Sequence, residues 1–358
     1  MATQDVWRLV RECTRFLGGH GGPRTLQDQL REVTDSPLSL VKNDHYGRGG
    51  VVTDLEGEVA ALLGKEAAVF MPSGTMAQPI TLRIWSDRAG IPTVAFHPTC
   101  HLHLHEQMAY RELHHLGAVL VGEGERLFTL EDLKAVEEPV STLLIELPQR
   151  EIGGQLPTWE ELVKICDEAR ARGMRIHMDG ARLWECAPYY GRSYAEISAL
   201  FDSVYVSFYK ILNALPGAIL AGPQSLIDEA RIWQRRQGGN LYQQATNAIS
   251  AKLAMERHLP RMADYVAKAG EIAEVLQPSA GVRVVPERPP TNMMHLHFRG
   301  DPERLNAAFL QIAEEDKVGL FFGLPEDGKI ELAVGESALG LNRDEIGRLF
   351  EKLFALAA

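Results

Sequence analysis

The sequence predicts an α/β protein: a mostly parallel sheet with helices on both faces, followed by a smaller α+β domain. Three observations carry this. Between about residues 50 and 225, short apolar runs rich in Val, Ile and Leu alternate with longer amphipathic runs. That is the pattern of strands buried on both faces and joined by crossover helices. From about residue 245 the alternation stops, and helical segments frame a few strand-like runs. Finally, 358 residues with 45% hydrophobic and 24% charged content fit an ordinary globular chain of about two domains.

Taken in order, residues 1–44 read as an arm: two helical segments about a glycine-rich turn at 18–23. Residues 45–245 form the large domain. Its strands are expected at 67–71, 93–96, 118–121, 142–147, 175–178, 204–208 and 218–221. Thr158, followed three residues later by Glu161, is a capping-box start for a helix over 158–172. The nine residues between 208 and 218 are too few for a crossover helix, so the last strand is expected to pair antiparallel with a neighbour or to cross the sheet edge. Residues 246–358 form the small domain. It should contain one long helix over 246–276, strands in VRVVP and MMHLHFR, a helix at 302–315, a strand at 329–334 and a closing helix at 343–357. The proline-rich stretch 286–290 reads as a loop.

The charge balance, 37 Lys+Arg against 48 Asp+Glu for a net −11, argues against a nucleic-acid partner. No apolar run approaches the roughly 18 residues a membrane helix needs, and the first residues lack a signal-peptide core. Cys13, Cys100, Cys166 and Cys186 are far apart and form no CxxC pair. This points to a cytoplasmic protein without disulfides.

Four segments carry chemistry. Asp179, in HMDGAR, lies at the carboxyl end of a predicted parallel strand, where open α/β sheets bind ligands; alone it reads equally as a helix cap. The next strand delivers Lys210, in SFYK, into the same crevice. An acid and a lysine so placed meet the needs of pyridoxal phosphate. The amine condenses with the cofactor aldehyde, and the carboxylate keeps the pyridine nitrogen protonated. Ser73, Gly74 and Thr75 sit at a strand-to-helix junction and suit a phosphate, although Pro79 lies deep for a first-turn proline and is expected to distort that helix start. The fourth segment is His101-Leu102-His103-Leu104-His105-Glu106. On a strand its three histidines share one face and, with Glu106, suggest a metal-dependent hydrolase; on a helix only His101 and His105 do. His101 could instead supply a flat ring over a pyridine.

The order SGTMA, HxxxxE, DGAR and SxxK resembles the threonine aldolase and β-eliminating lyase group of fold-type-I, aspartate-aminotransferase-like pyridoxal phosphate enzymes. Asp44-His45-Tyr46-Gly47, Leu55-Glu56, Leu144-Ile145-Glu146 and Gly238-Gly239 add to the match, which runs from about residue 40 to 250. The resemblance implies an aldehyde-lyase that cleaves a β-hydroxy-α-amino acid to glycine and an aldehyde. It also implies a homodimer or homotetramer with sites at subunit interfaces. Lys210 resembles the Schiff-base lysine, Asp179 the pyridinium partner and His101 the ring-stacking histidine. Arg182 resembles the arginine facing the cofactor and the substrate carboxylate. Ser73, Gly74 and Thr75 resemble the phosphate cradle, with Ser207 adding a hydroxyl. Glu146 matches an acid kept near the site, and Tyr46 and Arg236 match residues that reach a neighbouring subunit's cofactor.

The chain departs from the pattern in three places. No histidine lies between His115 and His177, where the family often carries a second one. The strand at 329–334 carries Glu331 where an arginine is typical. Residues 211–215 after the lysine are bulkier than the usual glycine-rich loop. Elimination, transamination and racemisation by the same cofactor are the alternative chemistries, and a non-catalytic binding protein on the same fold is a fourth reading.

Overall fold

The computed structural model describes residues 3–19, 24–323, 325 and 327–358. Residues 20–23, most of the expected glycine-rich turn, lie outside the described set. The chain divides into two compact units, Gln27–Leu259 and Met1–Leu26 with Pro260–Ala358. The division falls at 26/27 and 259/260, against the sequence expectation of 44/45 and 245/246.

The larger unit is built on seven strands: β1 Ala67–Met71, β2 Thr93–Phe96, β3 Gly117–Leu120, β4 Thr142–Glu146, β5 Arg175–Gly180, β6 Ser203–Ser207 and β7 Ala218–Gly222. They lie in the order β1-β7-β6-β5-β4-β2-β3. The pairs from β6 through β5, β4 and β2 to β3 are parallel, whereas β7 is antiparallel to both β6 and β1. The short link before β7 thus has the predicted consequence. Every residue of β4, β6 and β7 is buried, as their unbroken apolar runs require.

The helices that position the site are α1 Gly50–Leu62, α2 Gly74–Ala89, α3 His101–Leu104, α4 Trp159–Ala171, α5 Gln224–Arg236 and α6 Ala245–His258. Thr158 starts α4 with both capping-box bonds: its hydroxyl accepts from the Glu161 amide, and the Glu161 carboxylate accepts from the Thr158 amide. Helix α2 runs on through Pro79. Ile80, Ile84 and Ala77 of α2 pack with Val69, Met71 and Leu220 of the sheet in an apolar core.

The expected single helix over 246–276 is two helices. α6 ends at His258, a tight turn spans Leu259–Arg261, and α7 spans Met262–Leu276. Pro260 has no N–H for an α-helical bond, so the break falls there.

In the smaller unit, β8 Val282–Val285, β9 Met293–Phe298 and β10 Lys329–Ala333 form an antiparallel sheet with β9 in the centre. Helix α7 is joined there by α8 Pro302–Asp316 and α9 Arg343–Ala357. Arg15–Phe16 of the expected arm pairs in parallel with Val318–Gly319, which explains why the first residues belong to this unit.

Loss of the α4 cap is a direct check on this reading. Thr158→Ala is expected to cost about 1 kcal/mol. It should appear as a lower urea midpoint with an unchanged slope; an unmoved midpoint would show that the cap contributes nothing.

Candidate active site

The carboxyl ends of β1, β2, β4, β5 and β6 point to one edge of the sheet. That edge places Ser73, His101, Glu146, Asp179 and Lys210 at the crevice where such sheets bind ligands. Glu146 and Asp179 are register partners across β4 and β5. Both are almost fully buried. Asp179 Oδ2 accepts a hydrogen bond from Gln78 Nε2 at 2.9 Å, and Oδ1 accepts from the Ala181 amide at 3.1 Å. Glu146 Oε2 accepts from the His101 amide at 3.0 Å and Oε1 from the Arg150 amide at 3.2 Å.

These groups shift one another. Burial raises the Glu146 carboxyl above the usual range, and the nearby Asp179 charge raises it further; the two amides and Lys210 oppose this. Burial lowers the Lys210 amine, as does Arg182, while Asp179 and Glu146 oppose. Lys210 Nζ has no hydrogen-bond partner among the described residues. A lysine drawn toward its neutral form is a nucleophile.

The helix start beside this group has the form of an anion cradle. Ser73 caps α2, its hydroxyl accepting from the Met76 amide at 3.3 Å and keeping its own proton to donate. Thr75 is exposed in the first turn. At Gly74 a Cβ would lie 2.0 Å from Tyr205 Oη, so only glycine fits between the helix and that ring. Tyr205 is buried, and its hydroxyl lies 3.4 Å from that of Tyr209, the residue before Lys210.

The histidine cluster is helical. The His101 ring is 30% exposed, with Nδ1 3.1 Å from Glu106 Oε1. His103 Nδ1 meets the Tyr110 hydroxyl at 3.1 Å, and His105 Nε2 meets Glu151 at 2.8 Å. The metal-hydrolase expectation is therefore corrected. A helix turns position 103 away from 101 and 105, whose rings stay 5.0 Å apart, and among the described residues no three His, Cys, Asp or Glu side chains are placed to hold a metal ion.

The other expected residues are placed as follows. Arg182 is buried just after Asp179. Ser207 gives its hydroxyl proton to the Ala181 carbonyl at 2.7 Å, so that proton ties β6 to the turn after β5. Tyr46 stands edge-on to His45 and Tyr242 with the Arg235 guanidinium over it. Arg236 lies 4.7 Å over the Trp233 ring. Glu331 lies in β10, opposite His295.

Sequence reasoning missed Gln78, Tyr205 and Tyr209. Gln78 could have been flagged as a polar residue on the buried stripe of α2.

Residues 38–299 match the family model described as β-eliminating lyase. The chain belongs to the β-eliminating lyase family. This lyase is 31% identical to low-specificity L-threonine aldolase 1 of Arabidopsis thaliana over 296 residues, 79% of this chain and 81% of that protein. A crystal structure from Listeria monocytogenes EGD-E, provisionally assigned as an L-allo-threonine aldolase, shares 42% identity at a TM-score of 0.91, covering 99% of this chain and 98% of that one. A serine palmitoyltransferase with pyridoxal phosphate bound matches at 14% identity and a TM-score of 0.68, covering 95% and 86% of the two chains, which shows the fold alone. The fold is thus fold type I, with a mostly parallel sheet and a small antiparallel one. Among the described residues no helix is long and apolar enough to cross a membrane.

The lowered Lys210 amine gives a test of the site without any ligand. An amine-acylating reagent followed by peptide mapping should modify Lys210 at a lower pH than exposed lysines, because its neutral form appears earlier as pH rises. A profile that coincides with the surface lysines would contradict the electrostatics described.

Proposed function

We propose that this lyase holds pyridoxal 5′-phosphate on Lys210 and cleaves threonine-type β-hydroxy-α-amino acids to glycine and an aldehyde. The observation that carries this is the half-buried Lys210 amine, without a hydrogen-bond partner among the described residues, in the same charge cluster as Asp179, Glu146 and Arg182. The residues present suit the group: an amine for its aldehyde, a fixed carboxylate for its ring nitrogen, and a capped helix start with a glycine for its phosphate. The aldolase names of the Arabidopsis and Listeria relatives support the substrate class.

When bound, the cofactor supplies an electron sink for the bond broken at the α-carbon. The protein supplies position and charge. Gln78 and the Ala181 amide fix the Asp179 carboxylate for the ring nitrogen. The Ser73 hydroxyl and the free amides at the start of α2 receive the phosphate. Arg182 pairs with the substrate carboxylate. His101 offers its partly open ring as the flat cover and lies within the same site for the hydroxyl proton. The absence of a second histidine leaves elimination as the competing chemistry.

Reconstituted protein is expected to be yellow and to release glycine and aldehyde from threonine or allo-threonine; Lys210→Ala should lose both the colour and the cleavage. Wild-type protein without cofactor absorbance would end this reading. Release of pyruvate or ammonia in place of glycine would move it to elimination.

We further propose that copies of the chain associate through the face bearing Tyr46, Leu241 and Tyr242, which are 45%, 45% and 57% exposed. Exposed aromatic clusters of this kind mark protein interfaces, and such an assembly is what the roles that the resemblance implies for Tyr46 and Arg236 require. Four free, buried cysteines are in keeping with the cytoplasm. Tyr242→Glu should lower the molar mass seen by light scattering; an unchanged mass would remove this face from the contact.

A further inference from the structure

Glu106 is a costly residue with no structural reason to be ionisable. It is 5% exposed, and one of its oxygens, Oε2, is enclosed with no hydrogen-bond partner among the described residues. The other, Oε1, lies 3.1 Å from His101 Nδ1, and no lysine or arginine pairs with it. A buried carboxylate with an orphaned oxygen weakens a fold, and an apolar side chain of similar size would serve packing better. Such local costs collect at functional sites. The His101 backbone is also held, its amide donating to Glu146 Oε2 at 3.0 Å. Ring and backbone are therefore both fixed by acids, one of them reserved for Nδ1.

We propose that Glu106 is a positioning residue that fixes His101 as the Nδ1–H tautomer, so that Nε2 carries the lone pair that accepts the β-hydroxyl proton. A carboxylate acceptor on one ring nitrogen decides which nitrogen is bare. The inference rests on the function proposed above. In that reaction the substrate O–H bond breaks and an N–H bond forms at Nε2. The oxygen's released pair closes the aldehyde carbonyl. The Cα–Cβ pair stays with the α-carbon, which later takes up a proton to become glycine. Glu106 then faces the imidazolium and balances its charge.

The test begins with cofactor-free protein labelled with 15N at histidine, with the His101 signals assigned by their loss in His101→Phe. Wild-type His101 should carry its proton on Nδ1. In Glu106→Leu the proton should move to Nε2, the tautomer free imidazole prefers. In Glu106→Gln it should stay on Nδ1, because the amide oxygen still accepts. In the reconstituted enzyme, Glu106→Leu should lower kcat about a hundredfold with KM within about threefold, and Glu106→Gln should recover most of the loss. The cofactor-free Glu106→Leu protein should melt no lower than wild type, since the orphaned oxygen is gone. A structural role predicts the reverse, with a fall in melting temperature. A wild-type ring protonated on Nε2, a Glu106→Leu enzyme with normal kcat, or one that fails to fold would each overturn the proposal. A wild-type enzyme that releases no glycine would overturn the function, a result distinct from a misplaced tautomer in the cofactor-free protein.

Discussion

Asp179 and Glu146 are paired across two adjacent buried strands, so the fold must keep two carboxylates together away from water. Like charges so placed are unfavourable unless they are compensated or one is protonated. The molecule compensates both and draws one of them toward protonation. Asp179 is held by the Gln78 amide group and the Ala181 amide, and Glu146 by two backbone amides. Glu146 is nonetheless pushed toward its neutral form, and Lys210 toward its own. An acid and a base drawn toward each other's range exchange protons at small cost, which is what a site for amine chemistry requires. The elements around them can be understood as the means of holding this group in place.

Lys210 has a long flexible side chain, so its backbone must be fixed if the amine is to be placed. The tight connection between β6 and β7 does this. The Phe208 amide donates to the Gly217 carbonyl at 3.2 Å, the Ala214 amide to Phe208 at 3.0 Å and the Asn213 amide to Lys210 at 2.8 Å. At Gly217 a Cβ would lie 2.4 Å from the Phe70 ring, so the loop closes directly against β1. A crossover helix would have been a longer and looser support. The antiparallel strand that interrupts the parallel sheet is thus the same feature that pins the lysine.

Much of this was legible in the sequence because it rests on local rules. Unbroken apolar runs marked the strands within a residue or two, the Thr158–Glu161 spacing marked a cap, and the nine residues between two expected strands excluded a crossover. The carboxyl-end placement of Asp179 and Lys210 followed from strand order. What was not legible depends on neighbours distant in sequence. Gln78 acts through an acid 101 residues away. Gly74 is required by the ring of Tyr205, which only the folded sheet brings beneath it. The alternating histidines fit strand and helix alike, and only α3 turns His103 away from His101 and His105. The break at Pro260 was written in the sequence, but the apolar periodicity on both sides obscured it.

The net charge of −11 sets the last constraint. At physiological salt, exposed charges are screened beyond about 8 Å, so the acidic surface does not decide whether an anion binds within. Several arginines are also committed locally: Arg231 to Glu56, Arg126 to Asp132, Arg83 to Asp87 and Arg88 to Glu229. The attraction for a phosphate and a carboxylate must therefore arise where water is excluded, and there it is strongest. Under the proposed function the donors are the buried Arg182, the half-buried Lys210 and the start of α2 at Ser73 and Gly74. Opposite them stand Asp179 and Glu146, which would repel the same anions. That Glu146 is driven toward neutrality resolves the conflict. With Glu146 drawn toward its neutral form, the repulsion across the β4–β5 pair eases, and under the proposed function Asp179 is the carboxylate that faces a pyridinium nitrogen.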